Sequence, residues 1–144
     1  MYCFQCQETA RNVACTVRGV CGKTEETARL QDLLIFVLKG IGVWGEKLQS
    51  LGVHDRNAGL LVAKALFATI TNANFDNDDF TAFIEEALDV RDNLRDRFLA
   101  AYRNAHGEDF QGQLPDAALW RDEPEAFLEK AGSVGILATQ DEDV

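Results

Sequence analysis

The sequence predicts an all-α protein: an antiparallel three-helix bundle with a cysteine-rich loop at its N-terminus and a short helix near its C-terminal end. Three observations predict it. Apolar residues recur at three- and four-residue steps through three long stretches, the periodicity of buried helix faces. Short segments rich in Gly, Asp and Asn separate those stretches and stop the helices. All four cysteines (Cys3, Cys6, Cys15 and Cys21) fall within the first twenty-one residues. The chain therefore divides into a cysteine-rich loop over 1–23 and a helical bundle over 24–144.

Taken in order, the loop ends near Gly22-Lys23. Thr24 is placed to cap the first helix, with Glu25 and Glu26 favourable at the positive end of its dipole. Leu30, Leu33, Leu34, Val37, Leu38 and Ile41 form its buried stripe, while Ile35, Phe36, Val43 and Trp44 add apolar surface outside it, so this helix is expected to be covered on more than one side. Gly40, Gly42 and Gly45 are poor helix formers, and close approach of another backbone is the expected compensation. Gly52 should terminate the helix.

Asp55 can cap a second helix, carried by Leu60, Leu61, Ala65, Leu66, Phe67 and Ile70 to about Asn72. The polar run from Thr71 to Asp76 breaks the pattern. A third helix starts at Asn77 or Asp78. Its apolar face is Phe80, Phe83, Ile84, Ala87, Leu88, Phe98, Ala101 and Tyr102, with Glu85, Glu86, Asp89, Arg91, Asp92, Arg95 and Asp96 mostly outside, and Gly107 ends it. Short turns between three such helices give an antiparallel bundle. Residues 108–123 read as a loop pinned by Phe110, Leu119 and Trp120. Pro124 opens a short helix through Lys130-Ala131 that Gly132 ends. Val134 to Ala138 reads as extended, and Gln140 to Val144 as the capping start of a further helix.

The cysteine spacing allows three chemistries. Two disulfides are one, but the body would remain unstapled, and no secretory signal precedes the cysteines. A structural zinc is the second, for which Cys3-x-x-Cys6 is a good half-site; Cys15 and Cys21, five residues apart, make a poor second half. An iron–sulfur cluster is the third. It tolerates uneven spacing because each thiolate binds a different iron, and the spacing favours it, with zinc as the alternative. Such a cluster leaves about two net negative charges, which Arg11, Arg18 and Lys23 could offset. Gly19 and Gly22 could turn backbone N–H groups toward sulfur. Phe4, Val13, Val17 and Val20 could exclude water from the core.

Several segments resemble one family. Cys3-Phe-Gln-Cys6-Gln-Glu-Thr-Ala, Cys15-Thr-Val-Arg-Gly-Val-Cys21-Gly-Lys and Leu30-Gln-Asp-Leu-Leu-Ile-Phe-Val-Leu-Lys-Gly40 are similar to the start of the hybrid-cluster (prismane) family. Thr69-Ile-Thr-Asn-Ala-Asn74 and Ser133-Val-Gly-Ile-Leu-Ala-Thr139 resemble its later segments. The resemblance implies a cubane [4Fe–4S] cluster on Cys3, Cys6, Cys15 and Cys21. It also implies that this chain matches only the N-terminal helical region of a longer parent. That parent would be a hydroxylamine reductase forming ammonia, with nitric oxide reduction also proposed for the family. Its hybrid iron–sulfur–oxygen cluster would be held by later domains, so no catalytic residue is assigned here. The implied partners are the missing C-terminal domains and a redox donor protein. An apolar face left uncovered would favour self-association. A zinc-stabilised interaction domain and a stand-alone electron carrier are the other classes.

Composition narrows the partners further. A net charge of −10 and a pI near 4.6 argue against nucleic acid and anionic membrane. No apolar run approaches the ~20 residues of a membrane span. Cysteines reserved for metal imply a reducing compartment, the cytoplasm. His54 and His106 lie at helix boundaries, where capping or solvation explains them. Charged helix faces and first turns explain Glu25/Glu26, Glu85/Glu86 and the Asp76–Asp79 cluster.

Overall fold

The computed structural model describes residues 1–71 and 75–138, and among these it is all-α with no strand. Its helices are α1 (Glu25–Ser50), α2 (Arg56–Ile70), α3 (Asn77–His106), α4 (Asp116–Leu119) and α5 (Phe127–Val134). Single 3-10 turns lie at Ala10–Asn12, Pro124–Ala126 and Ile136–Ala138.

The helix ends follow their capping chemistry. The Thr24 hydroxyl accepts from the Thr27 N–H, and the Asp55 carboxylate from the Ala58 N–H at 2.9 Å. Helix α3 starts at Asn77 as expected, and Asp76 caps it by accepting from the Asp78 N–H. At the end of α1, the Gly52 N–H reaches the Gln49 carbonyl and the Val53 N–H the Leu48 carbonyl. This pattern needs a left-handed residue, and Gly52 supplies it at φ +77°. Gly107 ends α3 in the same region of φ.

Cross-contacts set the directions. Thr27, at the start of α1, donates to the Asn77 side chain at the start of α3, and Trp44 lies 5.7 Å from Phe98 further along. Those two helices therefore run the same way. Helix α2 returns between their ends: its cap Asp55 pairs with Arg97, Lys64 sits over the Phe83 ring, and the Thr69 carbonyl meets Lys23. An up-down-up bundle results.

The core centres on α1. Leu30, Leu33, Leu34, Val37, Leu38, Ile41, Trp44 and Leu48 are all buried, covered by α3 on one side and by the 108–134 region on another. Gly40 has the predicted close neighbour: a Cβ there would overlap the Ala117 carbonyl oxygen and lie 2.8 Å from its carbon. Trp44 Nε1 donates to the Ala118 carbonyl at 3.0 Å. Gly42 and Gly45 have nothing within 4 Å of such a Cβ, so the expected compensation holds for Gly40 alone.

Four other expectations change. Arg91 is fully buried instead of facing out. It donates to the Ala117 and Trp120 carbonyls and to Asp92, supplying donors that the overlying segment cannot find in itself. That segment contains α4, and Phe110 and Trp120 pin it as predicted, whereas Leu119 is exposed. Gly132 lies inside α5, which runs on to Val134, and Ile136–Ala138 form a 3-10 turn, so within 134–138 only Gly135 is extended. On α2, Leu60, Leu66, Phe67 and Ile70 face outward, and the inward stripe is Ala58, Leu61, Ala65 and Thr69. The expected continuation of α2 to Asn72 and the capping run over 140–144 lie outside the described residues.

Candidate metal centre

The cysteine loop doubles back on itself. The Cys3 N–H donates to the Cys15 carbonyl at 3.1 Å and the Cys15 N–H to the Cys3 carbonyl at 2.8 Å. This two-bond bridge sets those residues side by side. Between them the chain turns through Arg11 and Asn12, both left-handed at φ near +57°. The Cys6 carbonyl accepts from both the N–H and the hydroxyl of Thr9. Beyond Cys15, the Gly19 N–H reaches the Lys23 carbonyl and the Gly22 N–H the Gly19 carbonyl, closing a tight turn around Cys21. A Cβ at Gly19 would stand 3.0 Å from Cys21 Sγ, so the turn admits no larger residue without shifting that sulfur.

The loop is fastened to the body at two points. The Met1 ammonium donates to Glu25 on α1 at 3.0 Å. Lys23 is only 1% exposed, and its ammonium lies 3.7 Å from Cys3 Sγ, 3.2 Å from Gln5 Oε1 and 3.5 Å from the Thr69 carbonyl. Among the described residues, no carboxylate lies within ion-pair distance of it. Cys15 Sγ accepts from the Ala10 N–H at 3.5 Å. That bond and one from the Val20 N–H hold its thiol below the ordinary range against the opposing effect of burial, with Lys23 adding a smaller pull.

All four thiols are free. The loop pairs Cys3 with Cys15 and cradles Cys21 beside Gly19, but no three His, Cys, Asp or Glu side chains gather about a single point among the described residues. The expected supporting roles are redistributed. Of the three basic residues, Lys23 meets a sulfur, while Arg11 and Arg18 are exposed. The N–H groups of Gly19 and Gly22 serve the turn, and it is Ala10 and Val20 that donate to sulfur. Phe4, Val13, Val17 and Val20 point to solvent rather than shielding a core, Val17 at 87% exposure.

Sequence reasoning did not single out Gln31 and Asp32. Both line a cavity of about 240 Å³ next to Cys3, walled also by Tyr2, Phe36 and Ile136. The Gln31 amide is buried with neither atom hydrogen-bonded. Burial pushes the Asp32 carboxyl up to about 6, against the pull of Lys23 and the N-terminus. The available signal was a polar pair interrupting the apolar run between Leu30 and Leu33. Elsewhere, His54 is exposed and His106 stacks on Tyr102 in the last turn of α3. Glu25 serves Met1 and Arg29. None of these side chains reaches the cysteine loop except through Met1. No helix is long and apolar enough to cross a membrane among the described residues.

Comparison with known proteins places these observations. The description of the Prismane/CO dehydrogenase family matches residues 1–142. The hydroxylamine reductase of Nitratidesulfovibrio vulgaris is 60% identical over all of this chain, which aligns with 26% of that protein. Those of Halothermothrix orenii and Petrotoga mobilis are 54% and 48% identical, again over the whole chain and about a quarter of their own length. The chain thus spans roughly a quarter of the relatives it matches, and it belongs to the Prismane/CO dehydrogenase family.

Proposed function

We propose that the loop from Cys3 to Cys21 holds a [4Fe–4S] cluster and that this region serves a hydroxylamine reductase as its electron relay. The observation that carries the reading is Lys23. A buried ammonium with no carboxylate at ion-pair distance, and with Asp32 acting on it only from further off, is costly, and burying such a charge calls for an anion beside it. The sulfur at 3.7 Å is the site where that anion would form. Four thiolates on the cluster leave about two net negative charges, which a buried lysine and the N–H groups on Cys15 complement. The uneven cysteine spacing and the family favour iron and sulfide over a lone zinc.

When bound, the cluster would supply one-electron storage at the edge of the helical body. This chain's own part is to hold it with Cys3, Cys6, Cys15 and Cys21, balance its charge with Lys23 and keep the Cys15 thiol ready to ionise. Electrons would arrive from a redox donor protein and pass to the later domains that carry the hybrid cluster, where hydroxylamine is reduced. By itself this stretch would relay electrons without turning over hydroxylamine, in a reducing compartment such as the cytoplasm. Iron and sulfide analysis of anaerobically reconstituted chain tests the reading. The expected result is four of each per chain with reversible bleaching on reduction; one zinc and no redox response would overturn it.

A further inference from the structure

Helix α2 is apolar on almost every side. Ala58, Leu61, Ala65 and Thr69 fill its inward stripe, while Leu60, Ala63, Leu66, Phe67 and Ile70 point outward and are exposed. At 100° per residue these five fall on one continuous half of the helix, opposite the buried stripe. Arg56, in the first turn, and Lys64, at the edge of that half, are the charged side chains of α2, and Lys64 is drawn back over the Phe83 ring of α3. A helix that is hydrophobic all round belongs in an interior, and a contiguous exposed patch of this kind marks an interface. The outward half also lacks the ring of lysines and arginines that a helix lying on a membrane surface carries.

The relatives show where a cover is available: this chain accounts for about 26% of their length, so roughly three quarters of the polypeptide follows the matched part. We infer that the outer half of α2 is the face on which that downstream polypeptide docks, an apolar segment of the same molecule packing on Leu60, Phe67 and Ile70. The position has a consequence that rests on the proposed electron relay. The C-terminal end of α2 touches the loop through the Thr69 carbonyl and Lys23, whose ammonium is 3.7 Å from Cys3 Sγ. A segment docked at Ile70 therefore sits alongside the cysteine loop, and electrons would leave on this side.

The test uses two proteins: this chain alone, and a full-length protein in which it replaces the first quarter of the Nitratidesulfovibrio vulgaris relative. The double variant Leu60→Glu, Phe67→Glu is made in both, with Leu119→Glu, exposed on α4, as the control. In the chain alone the double variant should keep its helicity and unfolding midpoint, and its self-association by sedimentation should weaken about tenfold. In the full-length protein it should speed proteolytic cleavage after the first quarter about tenfold by populating an undocked state, while Leu119→Glu leaves the rate unchanged. Cleavage at the wild-type rate, or equal acceleration by the control, would overturn the docking face. So would a full-length dimer that the double variant dissociates without faster cleavage, since a second copy would then be the cover. Iron content measured on the same samples keeps the two readings apart: a protein without iron refutes the relay and leaves the docking result standing.

Discussion

The seam between α1 and α3 and the cysteine loop are held by different forces. Leu33, Leu34, Val37 and Trp44 meet Phe80, Ile84 and Leu88 with at most 1% exposure. Burying each such side chain contributes about 1.5–3 kcal/mol, so the seam can hold its shape with nothing added. The loop buries Ala14 and Cys15 and leaves Val13, Val17 and Val20 exposed. Its fastenings are one two-bond bridge, an N-terminal ion pair and a buried lysine facing sulfur. The seam is complete in itself, whereas in the loop a buried ammonium faces sulfur, the charge that the proposed cluster would balance.

Lys23→Met should break that contrast most sharply. In the metal-free chain it removes a buried charge with no carboxylate at ion-pair distance, so stability should hold or rise. After reconstitution with iron and sulfide, the variant should lack about 3–5 kcal/mol of the stabilisation that loading gives the wild type, because one partner of a buried charge pair is gone. Denaturant midpoints with and without reconstitution measure both. Equal loss in the two states would make Lys23 an ordinary packing residue.

Gly40→Ala attacks the other region. The added methyl meets backbone, the Ala117 carbonyl, which no rotamer change can clear. The α4 turn must move, and with it the carbonyls that hold Arg91 and Trp44. A loss of about 3 kcal/mol is expected by urea denaturation, against the slight gain that alanine brings to an ordinary helix. Iron loading of the surviving folded protein should be unchanged.

The two regions also differed in how far the sequence revealed them. The caps Thr24 and Asp55, the stops Gly52 and Gly107 and the stripe of α1 were readable because each depends on neighbours within a few residues. The loop's cysteines were equally plain as a candidate donor set, though the four do not gather about one point among the described residues. What periodicity could not tell was which half of α2 faces in, since that helix is apolar on both. Nor could it tell that Arg91, in a charged run, is drawn inside by carbonyls twenty-six and more residues away. The partners of Lys23 were hidden for the same reason, because Thr69 lies forty-six residues further on.

Asp32 sits between the two regions and gives a pH test. Its carboxyl is pushed up to about 6 when folded, from 3.8 ordinarily. Through that window the folded chain keeps a proton that the unfolded chain has released, so stability falls as pH rises, and the full penalty is present above it. Solvent still reaches the group, which reduces the penalty to about 1–2 kcal/mol. Asp32→Asn should therefore be the more stable protein near pH 8 by that amount, with the gap closing near pH 4. Urea denaturation at the two pH values decides it, and a gap that widens on acidification would reverse the assignment.

The smallest effect is the most discriminating about the seam. Gly42 lies two residues from Gly40 on the same helix, yet it is exposed and a Cβ there meets nothing within 4 Å. Gly42→Ala should gain up to about 1 kcal/mol from backbone entropy alone. Opposite signs at positions 40 and 42 would show that the glycines of α1 are separate cases, one demanded by α4 and one merely tolerated. If Gly42→Ala instead destabilises the full-length protein while stabilising this chain, its open space is filled by another part of the molecule. The side of α1 that bears Gly42 would then join α2 as covered surface.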